Sequence, residues 1–269
     1  MDKTTLGDRM KKNYENITRY YLTRRMPVII RIDGKAFHSF TKGMDKPFDH
    51  ILSKSMQDTM RYLCQNIQGC VFGYTQSDEI SLLLTDYAEL NTDAWFGNNL
   101  QKMCSVAASM ATMAFSNSFK KNVCDCLFSL PKDDEEQHGR VYDIYGPKLF
   151  SAMFDARCFN IPKEEVCNYF IWRQQNATRN SIQSVGQANF SHKKLQGKNC
   201  NDIQEMLFED KGINWSETPT MFKRGSCCVK EKITLDLLCP TDSEMRTVWK
   251  VDTEIPVFSK ERTYIERVL

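Results

Sequence analysis

The run Val28-Ile29-Ile30-Arg31-Ile32 is short, β-branched and closed by Pro27 on one side and by Asp33-Gly34 on the other. That pattern marks a largely buried strand ending in a turn. A buried strand needs neighbours, and the segments that follow supply them in a definite order. Asp49 precedes Leu52, Met56, Met60, Leu63 and Ile67, spaced by three and four residues, so it is expected to cap a helix that Gly69 ends. Residues 70–75 and 79–84 read as two strands joined by Gln76-Ser77-Asp78 in a β-hairpin. Residues 95–119 carry Leu100, Met103, Ala107, Met110 and Ala114 along one helical face, with Ala108 and Ala111 permitting close packing. After an acidic, proline-containing stretch over 130–146, residues 153–159 alternate as a fourth strand that places Asp155 and Arg157 on one face.

The order β-α-β-β-α-β is the ferredoxin-like arrangement of the mixed α/β (α+β) class, with strands one and two parallel and both helices on one face. The end of strand one and the turn after strand two then meet at one edge of the sheet, so Asp33 and Asp78 are expected to converge. Residues 160–228 read as an α-rich extension, and 229–269 hold strand-like runs at 232–238 and 248–258 that form a C-terminal ribbon. The expected division is a palm-like catalytic domain over 1–160, with 161–269 packed on it.

Composition narrows the partners. A net charge of +2 gives little long-range attraction for a polyanion, so any nucleic-acid contact must come from clustered bases. Basic pairs occur at Lys11-Lys12, Arg24-Arg25, Lys120-Lys121, Lys193-Lys194 and Lys223-Arg224. Each could track an RNA backbone or simply be solvated surface. The N-terminus lacks the apolar core of a signal peptide and no run of 18 apolar residues occurs, so a reducing cytoplasm is expected. There the 11 scattered cysteines, without a CxxC pair, read mostly as small core hydrophobes.

Two converging carboxylates suit nucleotidyl transfer, in which two metals roughly 3.5–4 Å apart stabilise charge and align the reacting oxygens. Mg²⁺ prefers hard oxygen ligands and retains waters, so Asp33, Asp78, the Gly34 carbonyl and triphosphate oxygens could fill two octahedra. Either aspartate alone would be read as a turn residue; their convergence favours the metal site. The stretch Gly34-Lys35-Ala36-Phe37-His38 could aim successive backbone N–H groups at phosphates, with Lys35 as a nearby cation. Arg157 could grip a triphosphate bidentately, the alternative being a salt bridge to Asp155. Trp172-Arg173 could stack a base, the alternative being core packing of the tryptophan.

The motifs Arg31-Ile32-Asp33-Gly34-Lys35-Ala36-Phe37-His38, Lys46-Pro47-Phe48-Asp49, Gln76-Ser77-Asp78-Glu79, Trp95-Phe96, Trp172-Arg173-Gln174, Leu195-Gln196-Gly197 and Lys223-Arg224-Gly225, in this order and spacing, resemble the tRNA-histidine guanylyltransferases. The likeness covers roughly residues 20–228. It implies a polymerase-type palm that adds nucleotides 3′-to-5′ to the 5′ end of tRNA. In that family ATP adenylylates a 5′-monophosphate and the 3′-hydroxyl of an incoming NTP, such as GTP, attacks the activated phosphate. By position, Asp33, Gly34 and Asp78 correspond to ligands of two Mg²⁺ ions, accompanied by Glu79 as a third catalytic residue. Residues 34–38 correspond to the triphosphate cradle. Lys46, Asp49, Ser77, Lys102, Arg157 and Asn180 correspond to nucleotide or activation sites, and Arg173, Lys223 and Arg224 to RNA contacts. A homotetramer, a dimer of dimers, is also implied.

One departure bears on substrate. Eukaryotic members carry His-Ile-Asn-Asn shortly after Trp-Arg-Gln, whereas this chain reads Thr178-Arg179-Asn180-Ser181. It thus resembles the guanylyltransferase-like proteins that repair truncated tRNA 5′ ends by templated addition. An expected lysine is also absent from Asp202-Ile203-Gln204-Glu205. The competing expectations are G addition to histidine tRNA, a palm-type nucleotide cyclase, and a tRNA-binding module without catalysis.

Overall fold

Side-chain alternation along the first strand decides the architecture, because it sends apolar groups to both sides of a sheet. The protein, seen in a computed structural model, is described over residues 5–236 and 243–269. An N-terminal helix α1 (Leu6–Met10) continues as a π-helical turn over Lys11–Glu15, and then come β1 (Val28–Gly34), α2 (Phe37–Phe40) and α3 (His50–Asn66). The hairpin β2 (Cys70–Gln76) and β3 (Glu79–Leu84) leads to α4 (Leu100–Ser129), α5 (Glu135–Tyr145) and β4 (Phe154–Asn160). Beyond lie α6 (Lys163–Asn189), α7 (His192–Leu195), α8 (Cys200–Lys211), α9 (Thr220–Arg224), β5 (Ser226–Asp236), β6 (Ser243–Asp252) and α10 (Thr263–Glu266).

Six strands form one sheet in the order β4-β1-β3-β2-β5-β6, every neighbouring pair antiparallel. Because β3 runs against both β1 and β2, those two strands are parallel, as the β-α-β-β-α-β reading requires. On one face Ile30, Ile32, Ile80 and Leu82 pack on Met56 and Met60 of α3 and on Met103, Ala107 and Phe115 of α4. On the other, Ile29, Phe72, Tyr74 and Leu83 pack on Val166 and Phe170 of α6 and on Ile255 and Phe258 of the tail. Ile29, Ile30 and Ile32 are fully buried, each contributing about 1.5–3 kcal/mol of transfer free energy.

Asp49 caps α3 as expected, its Oδ1 accepting the Leu52 N–H at 2.8 Å. The acidic stretch over 130–146 is not a plain connection. Asp134 caps it through the Gln137 N–H at 3.0 Å, and α5 lays Val141 and Tyr145 on the α4 side of the core. The stretch Asp202-Ile203-Gln204-Glu205 opens α8, where Asn199 and Asp202 form a reciprocal capping box. Local helix termination thus accounts for the acid there.

The ribbon joins the palm edge-on. Gly73, Tyr74 and Thr75 of β2 pair with Cys228, Cys227 and Ser226 of β5, so the sheet simply continues outward; the last two residues of the 232–238 run lie outside the described residues. Among the described residues no cysteine is in a disulfide, and Cys64, Cys70, Cys158, Cys167, Cys227 and Cys228 are buried. This ribbon also explains part of the Lys223-Arg224-Gly225 motif. Gly225 has φ +86°, and a Cβ there would lie 2.5 Å from the Thr75 carbonyl oxygen. The Tyr74 hydroxyl meanwhile donates to the Arg224 carbonyl at 2.8 Å. Gly225→Ala is expected to cost more than about 2 kcal/mol in a denaturant titration; a midpoint equal to the parent's would disprove the close-approach argument.

Candidate active site

Pairing register stacks charge in two rungs across three strands. On β1, Arg31 and Asp33 point to the same side, since side chains alternate with period two. Asp33 stands opposite Glu79 of β3 and Asp155 of β4, while Arg31 stands opposite Ser81 and Arg157. Three carboxylates therefore lie side by side next to a rung holding two guanidiniums. Like charges placed directly opposite disfavour each other, so this arrangement requires compensation. Arg31 lies 3.3 Å from Glu79 and 3.9 Å from Asp33, and Arg157 lies 3.7 Å from Asp155. From α6, Arg173 closes on Glu79, its Nε donating at 2.7 Å and its Nη2 bonding the other oxygen. Burial pushes the Glu79 carboxyl up and the Arg173 and Arg31 guanidiniums pull it back.

The two aspartates meet as the topology demands. The Gly34 N–H donates to the Asp78 carbonyl at 3.1 Å, tying the end of β1 to the β2–β3 turn. Partial burial raises the Asp78 carboxyl above its ordinary value, and the Asp33 charge raises it further. A desolvated carboxylate beside another carboxylate is a place where a cation is favoured. Both loops bearing these residues are strained: Ala36 and Ser77 adopt φ of 55° and 51°, a conformation costing about 1–3 kcal/mol at a non-glycine residue. Gly34 is obligatory for a different reason, since a Cβ there would sit 2.3 Å from the Phe37 ring. That ring is buried against Phe40, Phe115 and Phe154.

The cradle is smaller than the sequence suggests. Of residues 34–38, Gly34 and Lys35 spend their N–H groups internally, Lys35 on the Met153 carbonyl at 2.8 Å. Ala36, Phe37 and His38 enter the first turn of α2, where N–H groups have no intrahelical acceptor. Next to it lies a cavity of about 370 Å³ lined by His38, Lys46, Asp49, Ser77, Ser181 and Phe222, among others. Phe48 and Phe222 stack 4.7 Å apart.

Several expected positions lie in this neighbourhood: Lys46 and Ser77 face the cavity, and Arg157 is exposed on the charged rung. Asn180 is exposed on α6, two helical turns beyond Arg173. Asp49 reaches the cavity wall, but its oxygens serve the fold, taking the Leu52 and Asp45 N–H groups and the Tyr145 hydroxyl at 2.5 Å. Burial and that bond push the Tyr145 hydroxyl far above its ordinary range.

Lys102 is not brought to the site within one chain. Its helix starts beside Tyr20 and Thr23, at the end of β1 remote from Asp33. Thr112, which accepts the Phe154 N–H at 3.3 Å near Gly34, is about 15 Å farther along α4 at 1.5 Å per residue. The expected RNA contact at Arg173 also gives way, because its side chain is buried on Glu79. Lys223 reaches the Ser216 carbonyl and lies 5.9 Å from the Trp215 ring; its ammonium is pushed down by partial burial and by Arg224. Arg224, beside Gly225, belongs to the turn that seats β5 on β2. Sequence reading gave no role to Arg31, although its spacing from Asp33 already put both on one face.

The chain matches the family model described as tRNAHis guanylyltransferase (Thg1) over residues 7–162 and that of the Thg1 C terminal domain over 164–262. The chain belongs to the tRNAHis guanylyltransferase family. Its reaction class is nucleotidyl transfer. It is similar to the tRNA(His) guanylyltransferase of Schizosaccharomyces pombe, 29% identical over 83% of this chain and 82% of that protein. Among solved structures, it resembles a bacterial tRNA(His) guanylyltransferase (Thg1)-like protein in complex with ATP, with TM-score 0.80 and 45% identity over 98% of each chain. Such a protein in complex with GTP gives 0.76 and 43% over 98% of this chain and 99% of that one. Among the described residues no helix is long and apolar enough to cross a membrane.

Proposed function

We propose that this family member adds nucleotides to the 5′ end of tRNA in the 3′-to-5′ direction, rebuilding truncated ends by templated pairing, with ATP activating the 5′-phosphate. The observation that carries the site is the tie between β1 and the β2–β3 turn, which holds Asp33, Gly34 and Asp78 at one sheet edge. The repair reading is favoured by 45% identity to the bacterial Thg1-like protein across 98% of both chains, against 29% to the fission yeast enzyme.

Two divalent ions, which we take to be Mg²⁺, would be held by Asp33, Asp78 and the Gly34 carbonyl and would supply the charge stabilisation that nucleotidyl transfer needs. Among the described residues no three His, Cys, Asp or Glu side chains are grouped to hold a metal by themselves. The donor set is therefore two carboxylates completed by carbonyl, water and phosphate oxygens, as suits Mg²⁺. Lys35, Lys46 and Arg157 are the exposed cations available to the triphosphate, and the N–H groups at residues 36–38 can bind its oxygens. Ser77 lines the adjoining cavity, and Asn180 is exposed on α6. Glu79, closed off by two arginines, positions Arg31 beside Asp33 and does not touch substrate.

The division near residue 160 is proposed as functional, separating the palm from a helical extension and ribbon. We further propose a cytoplasmic homotetramer, a dimer of dimers, in which Lys102 would serve a neighbouring copy's site. Offering 5′-truncated tRNA and intact histidine tRNA side by side, with each labelled NTP, tests the substrate. Templated addition to the truncated species is expected to dominate. Faster G addition to histidine tRNA would overturn the repair assignment, and tRNA binding without any NTP turnover would overturn the catalytic site.

A further inference from the structure

Removing Arg173 from the surface leaves its neighbour Trp172 in need of an account. The indole is 48% exposed, yet it is held on several sides. The Arg173 guanidinium covers one ring face at 4.4 Å, and Tyr169 meets it at 5.9 Å in an edge-on contact. With the Asn176 amide turned so that its oxygen faces both residues, that oxygen accepts from the indole N–H at 3.2 Å and from Arg173 at 3.0 Å. Exposed Tyr14, Tyr20 and Phe128 show no such ring contacts.

The position of the ring is equally specific. Gln174 faces the C-terminal tail, donating to the Pro256 carbonyl and accepting the Phe258 N–H, each at 2.8 Å. The opposite flank of α6 carries Tyr169, Trp172, Asn176 and Asn180 by helical spacing. Tyr169 on that flank meets Phe159 of β4 at 5.9 Å. Trp172, on the same flank, thus lies on the side of α6 that packs toward β4, the strand on which Asp155 and Arg157 are both more than half exposed. A fixed aromatic face beside a guanidinium and a carboxylate edge is the combination that receives a base and its phosphate.

We propose that Trp172 is the stacking platform for a substrate nucleobase, supplied either by the nucleotide or by the 5′ end of the RNA. The inference rests on reading the Asp33–Asp78 edge as the nucleotide site. Arg173 then has two roles that need no contact with RNA: it neutralises Glu79 and supports the back of the ring. The cost of leaving an indole half in water is offset when a base covers it.

The test uses the full-length protein, with ATP, GTP and a 5′-truncated tRNA as separate probes. Each is titrated against tryptophan fluorescence in the parent and in Trp172→Phe, which keeps an aromatic face but removes this fluorophore. The quench by at least one probe is expected to shrink in Trp172→Phe while affinity is retained. Trp172→Ala is expected to raise the KM of that same probe about tenfold, with kcat and the thermal midpoint little changed. A KM effect confined to ATP or GTP assigns the base to the nucleotide; one confined to tRNA assigns it to the RNA end. An undiminished quench in Trp172→Phe for all three probes overturns the proposal, as do unchanged KM values in Trp172→Ala. Asp78→Asn separates the two readings: full turnover in that variant removes the nucleotide site itself, whereas lost turnover with an unaltered Trp172→Phe quench removes only the stacking role.

Discussion

Asp78→Asn is expected to fold, to be more heat-stable than the parent at neutral pH without divalent metal, and to lose nucleotide addition by about 10³-fold or more. The substitution is isosteric, and it keeps the backbone carbonyl that accepts the Gly34 N–H. The amide oxygen can still take the Ser77 hydroxyl, which sits 3.1 Å from Asp78 Oδ1. Only the charge goes. Because burial and then Asp33 raise this carboxyl in the folded state, its protonated form stabilises the fold. That stability is fully present below the unfolded pKa, about 3.9, and is lost as pH rises through the folded value. An uncharged asparagine escapes that loss. The gap in thermal midpoint between variant and parent should therefore open above about pH 4 and level off once the parent is ionised. Adding Mg²⁺ should stabilise the parent more than the variant, since only ligands that bind the folded state raise its stability. Addition within tenfold of the parent would refute the assignment of a metal to this carboxylate, and a lower metal-free midpoint for the variant at pH 7 would refute its desolvation in the fold.

The parts of this protein legible in its sequence are those set by short-range periodicity. The Asp49 cap, the apolar spacing from Leu52 to Ile67 and the Gln76-Ser77-Asp78 turn each emerge where read. Chain topology then brought Asp33 and Asp78 together. The Asp155-Arg157 face, unexplained by alternation alone, is one side of a ladder whose other members lie on β1 and β3. That ladder is a matter of register, which no single strand reveals. Arg173 shows the opposite failure. An arginine beside a tryptophan reads as a nucleic-acid contact, but its buried partner, Glu79, is 94 residues away in sequence. The role of Lys102 follows only from the family resemblance, and the length of α4 separates it from the site within one chain. Within the 130–146 stretch, α5 is masked in the sequence by its acidic residues, which serve as cap and first turn.

Glu79→Gln is expected to destabilise the protein by about 3–5 kcal/mol, the range for breaking a buried ion pair by removing one partner. Glu79 is 4% exposed and Arg173 6%, so solvent cannot compensate the guanidinium left behind, and Arg31 loses the same partner. The carboxylate's own desolvation, which raises its pKa, is a cost that the variant no longer bears. On this carboxyl burial outweighs the pull of the two guanidiniums and leaves it above its ordinary value, so the expected loss comes from the two guanidiniums left without a partner. Arg173→Met added to Glu79→Gln tests this directly. If the damage comes from an uncompensated cation, the double variant should be more stable than Glu79→Gln alone, a coupling of opposite sign to simple addition. Catalysis adds a second readout. Freed from Glu79, Arg31 can move onto Asp33, already 3.9 Å away, and compete with a cation there. Surviving Glu79→Gln protein should then need more Mg²⁺ for half-maximal addition, a shift that plain loss of folded protein does not produce. A denaturant midpoint within about 1 kcal/mol of the parent, or an unaltered Mg²⁺ requirement, would show that Glu79 does not hold Arg31 in check. In that event the charge ladder would be ornament to the two aspartates and not their support.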